Sequence, residues 1–405
     1  MQRATTSTGV HWEWIVLAAA GTLLITQGVR LSLGLFVAPI DASTGLGIAA
    51  VSFALAIAQF SWGAVQPIAG AAADRYGAGR VILGGLLLLA LGSALTPLAT
   101  STAGLVLTIG ILSAAGAGAA SFSVVMGAAG KLLPPEKRAF ASGVMNAGGS
   151  FGQFIFAPVV QMIIVSASWM TAMWAMAAVI FMAAPLAYLL RRPVENAAAT
   201  QVPDRGLAAA LKDALGDRSY LLLHAGFFTC GFHIAFLSTH LPGEIALCGL
   251  PGSVASWSLA IIGLANIVGS LATGWSLSRV LSKHLLFGMY ASRTVMVLLY
   301  LAAPKTALTF YIFAAGLGVA WLATVPATAS VVGKLFGPRY LSTLFGLTLL
   351  SHQIGGFLGA YLGGVAAERM GSYDWMWYAD AALAALAALV NLPIREPALT
   401  RPALA

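Results

Sequence analysis

The sequence predicts an all-α integral membrane fold of twelve transmembrane helices arranged as two pseudo-symmetric six-helix halves. Three observations carry that expectation: a composition too apolar for a water-facing surface, a series of apolar blocks near the length of a bilayer crossing, and sequence motifs in the second half that repeat those of the first. Of the 405 residues 59% are hydrophobic and 8% are charged, and the mean hydropathy is +0.89. A soluble domain carries about 25% charged residues, so this chain lacks the polar groups to cover itself in water.

In chain order the apolar blocks fall at about 14–39, 48–72, 79–98, 102–131, 139–165, 169–190, 219–243, 253–277, 284–302, 306–331, 341–367 and 373–392. A helix needs about 20 such residues to cross roughly 30 Å of hydrocarbon. The first block is too long for the apolar segment of a signal peptide and lacks a small-residue cleavage site, so it is expected to stay as a membrane helix. The fourth contains Ser113-Ala-Ala-Gly116-Ala-Gly118-Ala-Ala-Ser121, a small-residue run for close helix packing. It is not a phosphate loop, because no Lys-Ser/Thr follows. Between blocks six and seven lies the longest polar interval, with five basic and four acidic residues plus Pro193 and Pro203. It reads as a solvated linker with a short helix near 207–215. The chain therefore divides into a first half at 1–190, a linker at 191–218 and a second half at 219–405.

Placing the N-terminus inside puts 17 of the 21 Lys and Arg residues on the cytoplasmic side and only Lys305 and Arg369 outside. Basic residues concentrate in cytoplasmic loops, so both termini and the linker are expected in the cytoplasm of a bacterial-type inner (plasma) membrane. The net charge of +8 is thereby a topology signal. No aromatic-interleaved basic patch suggests nucleic acid. Cys230 and Cys248 have no metal or redox spacing and read as small apolar fillers.

The internal repeat is specific. Gly130-Lys131-Leu132 matches Gly333-Lys334-Leu335 at an offset of 203, which also aligns Pro135 with Pro338, Gly143 with Gly346 and Gly152 with Gly355. Gly70-Ala-Ala-Ala-Asp74-Arg75 matches Gly274-Trp-Ser-Leu-Ser278-Arg279 at an offset of 204. Parallel repeats of this kind belong to transporters whose halves rock about a central site.

The stretch Gly70-Ala-Ala-Ala-Asp74-Arg75-Tyr76-Gly77-Ala-Gly79-Arg80 resembles the loop signature of the major facilitator superfamily. The resemblance covers essentially the whole chain and implies that fold. It also implies a conformational latch of Gly70, Asp74, Arg75, Gly77 and Arg80, with Gly70 permitting close helix approach. The second copy has Ser278 in place of the acid. Within the superfamily, Gly28-Val-Arg30-Leu-Ser-Leu-Gly34-Leu-Phe36 is similar to the first helix of the monocarboxylate porter group, relatives of the oxalate/formate exchangers. In that group a basic residue at the place of Arg30 is tied to the substrate anion or to proton coupling. The acid–arginine pair which the group carries on span eight is missing here, where Asn266 is the notable polar residue.

Charged groups in the hydrocarbon cost about 2.5–3.5 kcal/mol even on insertion scales, so each asks for a role. Arg30, with Gln27 one turn before it, is expected to face the central cavity, where a guanidinium can hold a carboxylate through two bonds. Asn146, His233 and His352 are further substrate-site candidates. His233 and Asp380 are candidates for the coupling proton. Arg293 in span nine and Asp380 in span twelve are expected to form a structural ion pair. His240 and Glu244 beside Pro242 read as a solvated outer loop. Gln59, Gln66, Gln153 and Gln161 read as polar glue between helices.

No nucleophile–base pairing, metal cluster or nucleotide loop is present in the sequence, so no enzymatic activity and no cofactor are expected. The expected function is secondary transport of a small organic anion, monocarboxylate-like, with a proton. The alternative is a drug or other small-molecule/proton antiporter, although no acid lies deep in the first half. The expected partners are the substrate, the lipid bilayer and protons, and the expected state is a monomer.

Overall fold

A computed structural model describes residues 11–133, 135–191, 207–277, 279–337 and 341–397, and within them the side chains of Asp74, Lys131 and a few neighbouring positions fall outside the description. Ten of the described helices are long and apolar enough to cross a membrane. They are α1 Trp12–Thr44, α2 Ile48–Tyr76, α3 Ala78–Leu98, α4 Thr102–Ala129, α5 Pro135–Ser166, α6 Trp169–Leu189, α7 Arg218–Leu247, α8 Gly252–Ser276, α9 Ser282–Ala302 and α10 Ala307–Phe336. Two more long helices follow, α11 Leu341–Met370 and α12 Asp374–Asn391. Their apolarity is diluted by His352 and Gln353 in α11 and by Asp374, Asp380 and Asn391 in α12. The observed ends agree with the predicted blocks to within a few residues, and a short helix, Leu207–Gly216, occupies the predicted place between α6 and α7.

The helices begin where the sequence offers caps. Ser101, Ser168, Asp217 and Thr306 each accept a bond from the backbone N–H three residues on, which satisfies an otherwise orphaned donor. Gly77 closes α2 at φ +92°, a conformation that costs other residues dearly. Among the described residues regularity breaks at 3₁₀ turns over Leu33–Phe36 in α1 and Thr96–Leu98 in α3, at a π-helical stretch Val106–Ser113 and a turn at Ala120–Ser121 in α4, at a turn at Ala184–Pro185 in α6 and at a turn through Trp321–Ala323 in α10. Backbone groups freed in a bilayer must find partners inside the protein, so these breaks mark where side chains have extra work.

Packing places α7 on α11 and α1 on α5, while α2–α11 and α5–α8 join the first six helices to the last six. These contacts depend on small residues. A Cβ at Gly34 would collide with the Ser238 carbonyl, one at Gly364 with Ser52, and one at Gly263 with the Ser150 carbonyl. Ala49 N–H also donates to Glu368 Oε2 at 2.7 Å. The contacts of Gly34, Gly364 and Ala49 lie toward the end of the bundle where α1 passes into α2, and that of Gly263 with Ser150 lies near mid-depth. Toward the opposite end, a Cβ at Gly70, Gly127, Gly143, Gly274 or Gly346 would meet nothing within 4 Å. The first and last six helices are thus closely apposed at one end and at mid-depth, whereas these glycines meet no such contact at the other end.

Candidate functional site

Arg30 sits just before the 3₁₀ turn of α1, where Ser32 Oγ donates back to the Gly28 carbonyl at 2.8 Å. Its guanidinium is held by neutral partners. Nη1 donates to Gln59 Oε1 at 2.7 Å, Nε donates to Gln27 Oε1 at 3.3 Å, and the group lies 4.2 Å from the centre of the Trp62 ring. Among the described residues no carboxylate pairs with it, and nothing accepts from Nη2. Glutamine oxygens and an aromatic face orient a cation without neutralising it. Arg30 and Gln59 form part of the wall of a pocket that continues between α1, α2, α3 and α4.

Across from Gln59 stands α11. Gln353 packs against Gly63 of α2 so closely that no Cβ would fit there, and its Oε1 is buried without a hydrogen-bond partner. Its Nε2 lies 3.1 Å from His352 Nδ1. His352 is therefore linked through Gln353 to the α2 wall beside Arg30.

His233 is elsewhere. It is buried among α7, α10 and α12, with Nδ1 2.6 Å from Asp380 Oδ2; the two residues are 1% and 0% exposed. His233 Nε2 and Asp380 Oδ1 have no partner. The expected Arg293–Asp380 ion pair is not formed. Arg293 Nη2 instead donates to the carbonyls of Ala320 and Trp321 at 2.5 and 2.8 Å, at the break in α10. Asn266 completes the repair: its Oδ1 accepts from Leu322 N–H at 2.9 Å and its Nδ2 donates to Ser150 Oγ at 2.8 Å. The physical reason for the correction is local. Unwound carbonyls in hydrocarbon are strong acceptors with nothing else to bind, so they capture the guanidinium, and Asp380 takes the imidazole. The charge of Arg293 still acts on Asp380 and on Cys230 at longer range.

The sequence model of the Major Facilitator Superfamily matches residues 18–359 and 248–405. The chain belongs to the major facilitator superfamily. It is a multi-pass membrane transporter and not an enzyme, as are its relatives. It is similar to monocarboxylate transporter 13 of Rattus norvegicus, 26% identical over 94% of this chain and 89% of that protein. It is similar to monocarboxylate transporter 11 of Mus musculus at 25% over 90% and 83%, and to the oxalate:formate antiporter of Oxalobacter formigenes at 25% over 90% and 86%.

In this superfamily member the structure gathers some of the predicted site residues and separates others. Arg30 and Gln27 are in contact. Asn146 lies on α5, half-buried, where its carbonyl accepts from Ser150 Oγ at 3.2 Å; its side chain touches neither Arg30 nor Gln27 by a hydrogen bond. His233 and Asp380 form their own buried pair. Sequence reasoning missed Gln59, Trp62 and Gln353 as the surroundings of Arg30, although the four-residue step from Gln59 to Gly63 put a polar and a small residue on one face of α2. In the loop signature, Gly70 makes no close approach, since a Cβ there would meet open space. Arg80 Nη1 donates to the Tyr76 carbonyl at 3.4 Å and Arg75 lies 5.3 Å from the Tyr76 ring. The Asp74 side chain and Ser278 lie outside the described residues. His240 and Glu244 are not a solvated loop: α7 continues through Pro242, and both residues are buried. His240 Nε2–H donates to the Ala360 carbonyl at 2.7 Å and Tyr300 donates to Glu244. Among the described residues no group of three metal-ligating side chains exists.

Proposed function

We propose that this transporter is a secondary carrier that moves a small organic anion, monocarboxylate-like, together with a proton, by alternating access between a half at 1–190 and a half at 219–405. The observation that carries the reading is the guanidinium of Arg30, partly accessible on a pocket wall and held only by glutamine oxygens and a tryptophan face. A cation kept at membrane depth without a counter-charge is costly. A bound carboxylate supplies that charge and can take two parallel hydrogen bonds. Gln27 and Gln59 would release the guanidinium toward the substrate, and Gln353 with His352 would meet it from α11. Close apposition of the first and last six helices at one end and at mid-depth, against open glycines at the other end, fits one of the two access states. The relatives named for monocarboxylates and for oxalate and formate support the class.

The proton would sit on the His233–Asp380 pair, whose two free atoms leave room for one more proton in a dry site. Both termini and the 191–218 segment are placed in the cytoplasm of a bacterial-type inner membrane on the distribution of Lys and Arg. The carrier is expected to work as a monomer, and the conformational latch is proposed for the Gly77–Arg80 turn. A thermal-shift screen of purified protein against organic acids, amphiphilic cations and sugars tests the class, because a ligand stabilises the state it binds. Stabilisation by small carboxylates supports anion transport. Stabilisation by amphiphilic cations alone points to a drug/proton antiporter and rejects it.

A further inference from the structure

The pocket beside Arg30 does not lead only toward the interface between the first and last six helices. Its wall includes Leu89 and Ser93 of α3, Ser113 and Ala117 of α4, and Met173 of α6, all within the first six helices. The space opens where α4 is least regular, at the π-helical stretch Val106–Ser113 and the small residues that follow, and such stretches often accompany functional sites. Most of the wall is aliphatic. Hydroxyls interrupt it at Ser93, Thr96 and Ser113 and, on the α7 side, at Ser238 and Thr239. Thr96 and Ser238 donate to carbonyls of their own helices, whereas Ser93 and Ser113, 3% and 7% exposed, make no hydrogen bond among the described residues. Several other buried hydroxyls of this bundle bond a carbonyl of their own helix, as Thr96 does on Gly92 at 2.8 Å and Thr108 on Gly104 at 2.9 Å, while Ser52 and Thr328, away from the pocket, have no partner. The oxygens of Ser93 and Ser113 open onto the pocket, where a ligand oxygen can take their hydrogen bonds.

We infer that this space is the substrate's tail subsite: a carboxylate held by Arg30 extends an aliphatic body between α3 and α4, and an oxygen substituent on that body is met by Ser93 and Ser113. The inference rests on the anion reading and goes beyond it by stating where selectivity is decided. The subsite has no second cation on its wall. A dicarboxylate would bury its far carboxylate against hydroxyls and aliphatic carbons, a desolvation that hydroxyl donors do not offset. A one- or two-carbon acid would leave the space unfilled and lose about fourfold in affinity for each methylene not buried. Substrate choice is therefore set by the packing of the first six helices, with α11 closing over the carboxylate end.

The test uses purified full-length protein in nanodiscs and measures dissociation constants for formate, acetate, butyrate, 3-hydroxybutyrate and succinate. Wild type is expected to prefer the four-carbon monocarboxylates at least tenfold over formate and over succinate. Ala117→Leu fills the subsite and should remove that preference while leaving acetate binding within threefold. Ser93→Ala and Ser113→Ala create no crowding and so remain informative if Ala117→Leu does not fold. Each should weaken 3-hydroxybutyrate about tenfold, leave butyrate unchanged and leave thermal stability unchanged, because neither hydroxyl makes a hydrogen bond within the described residues. A lowered melting temperature with an unaltered ratio of 3-hydroxybutyrate to butyrate would mean that the hydroxyls are structural and would overturn the inference. So would a chain-length profile unmoved by Ala117→Leu. If no carboxylate binds to any variant, it is the anion reading that fails.

Discussion

Replacing Arg293 with Met should destabilise the transporter although Arg293 touches no proposed substrate. The side chain is 1% exposed and its Nη2 makes two hydrogen bonds, to the carbonyls of Ala320 and Trp321. Bonds from a charged donor contribute about 1.5–3 kcal/mol each. Against them stands the desolvation of a guanidinium whose Nε and Nη1 have no partner, a cost of several kcal/mol that methionine relieves. Were these the only effects, the substitution would be nearly neutral. Two further consequences decide the sign. The carbonyls at the α10 break are left bare in hydrocarbon, and the Asp380 carboxylate loses the positive charge that acts on it. Removing one member of a buried charged network typically costs about 3–5 kcal/mol, and a loss of about 3 kcal/mol is expected here. Asn266→Leu, which frees Leu322 N–H and Ser150 Oγ, should cost about 1–3 kcal/mol. Because both residues secure the same break, the double variant should lose less than the two single losses combined. Thermal unfolding in detergent, followed by retention of the monodisperse peak, provides the measurement. Wild-type stability of Arg293→Met, or losses that simply add, would refute the account of α10.

Neutralising His233 or Asp380 should show a coupling energy of about 1–3 kcal/mol in a double-mutant cycle of His233→Gln and Asp380→Asn, larger than that of Asp380 with Arg293, which it does not touch; equal couplings would remove the pair. In proteoliposomes the same His233→Gln should abolish accumulation driven by an inward proton gradient while leaving counterflow of substrate; full gradient-driven accumulation by the variant would place the proton elsewhere. Glu396 lies beyond α12 and is buried, which by itself would raise its pKa, but Lys334 Nζ at 2.6 Å and the N–H groups of Lys283 and Ser282 outweigh that and hold its carboxyl below the ordinary value. Its contribution is therefore complete above the ordinary carboxylate range and is lost as the pH falls through the lowered folded-state value. Glu396→Gln should cost about 1 kcal/mol at neutral pH and flatten the acid limb of the stability profile; an unchanged acid limb would rule the contact out.

The long apolar blocks made α1 to α12 legible, because bilayer thickness fixes both the length and the composition of a crossing. Arg30 was legible for the same reason: a lone charge within an apolar run stands out. Its setting was not. Gln59 and Trp62 are ordinary residues in α2, and only the meeting of α1 with α2 turns them into a cradle. The break in α10 was legible from Pro326, which cannot bond the Leu322 carbonyl one turn earlier, but the fate of Arg293 was hidden, since only packing brings its guanidinium to the freed carbonyls. Without that packing, Asp380 was the natural partner by charge, whereas the structure gives Asp380 the imidazole of His233 from a helix with which α12 packs. His240 and Glu244 were misread because Pro242 suggested a helix end, while α7 carries the proline internally and buries both residues against α9, α11 and Tyr373.

The central claim is that Arg30 binds the transported anion. Its most direct test is uptake of radiolabelled small monocarboxylates into proteoliposomes by wild type, Arg30→Lys and Arg30→Gln, at matched amounts of folded protein. Losing a charge-assisted pair with a carboxylate should weaken apparent affinity for the anion by roughly tenfold to a hundredfold or more in Arg30→Gln, at about 1.5–3 kcal/mol for each bond. Arg30→Lys should fall between, since a single ammonium keeps the charge and loses the two-pronged geometry. Uptake by Arg30→Gln at the wild-type rate and affinity would contradict the account.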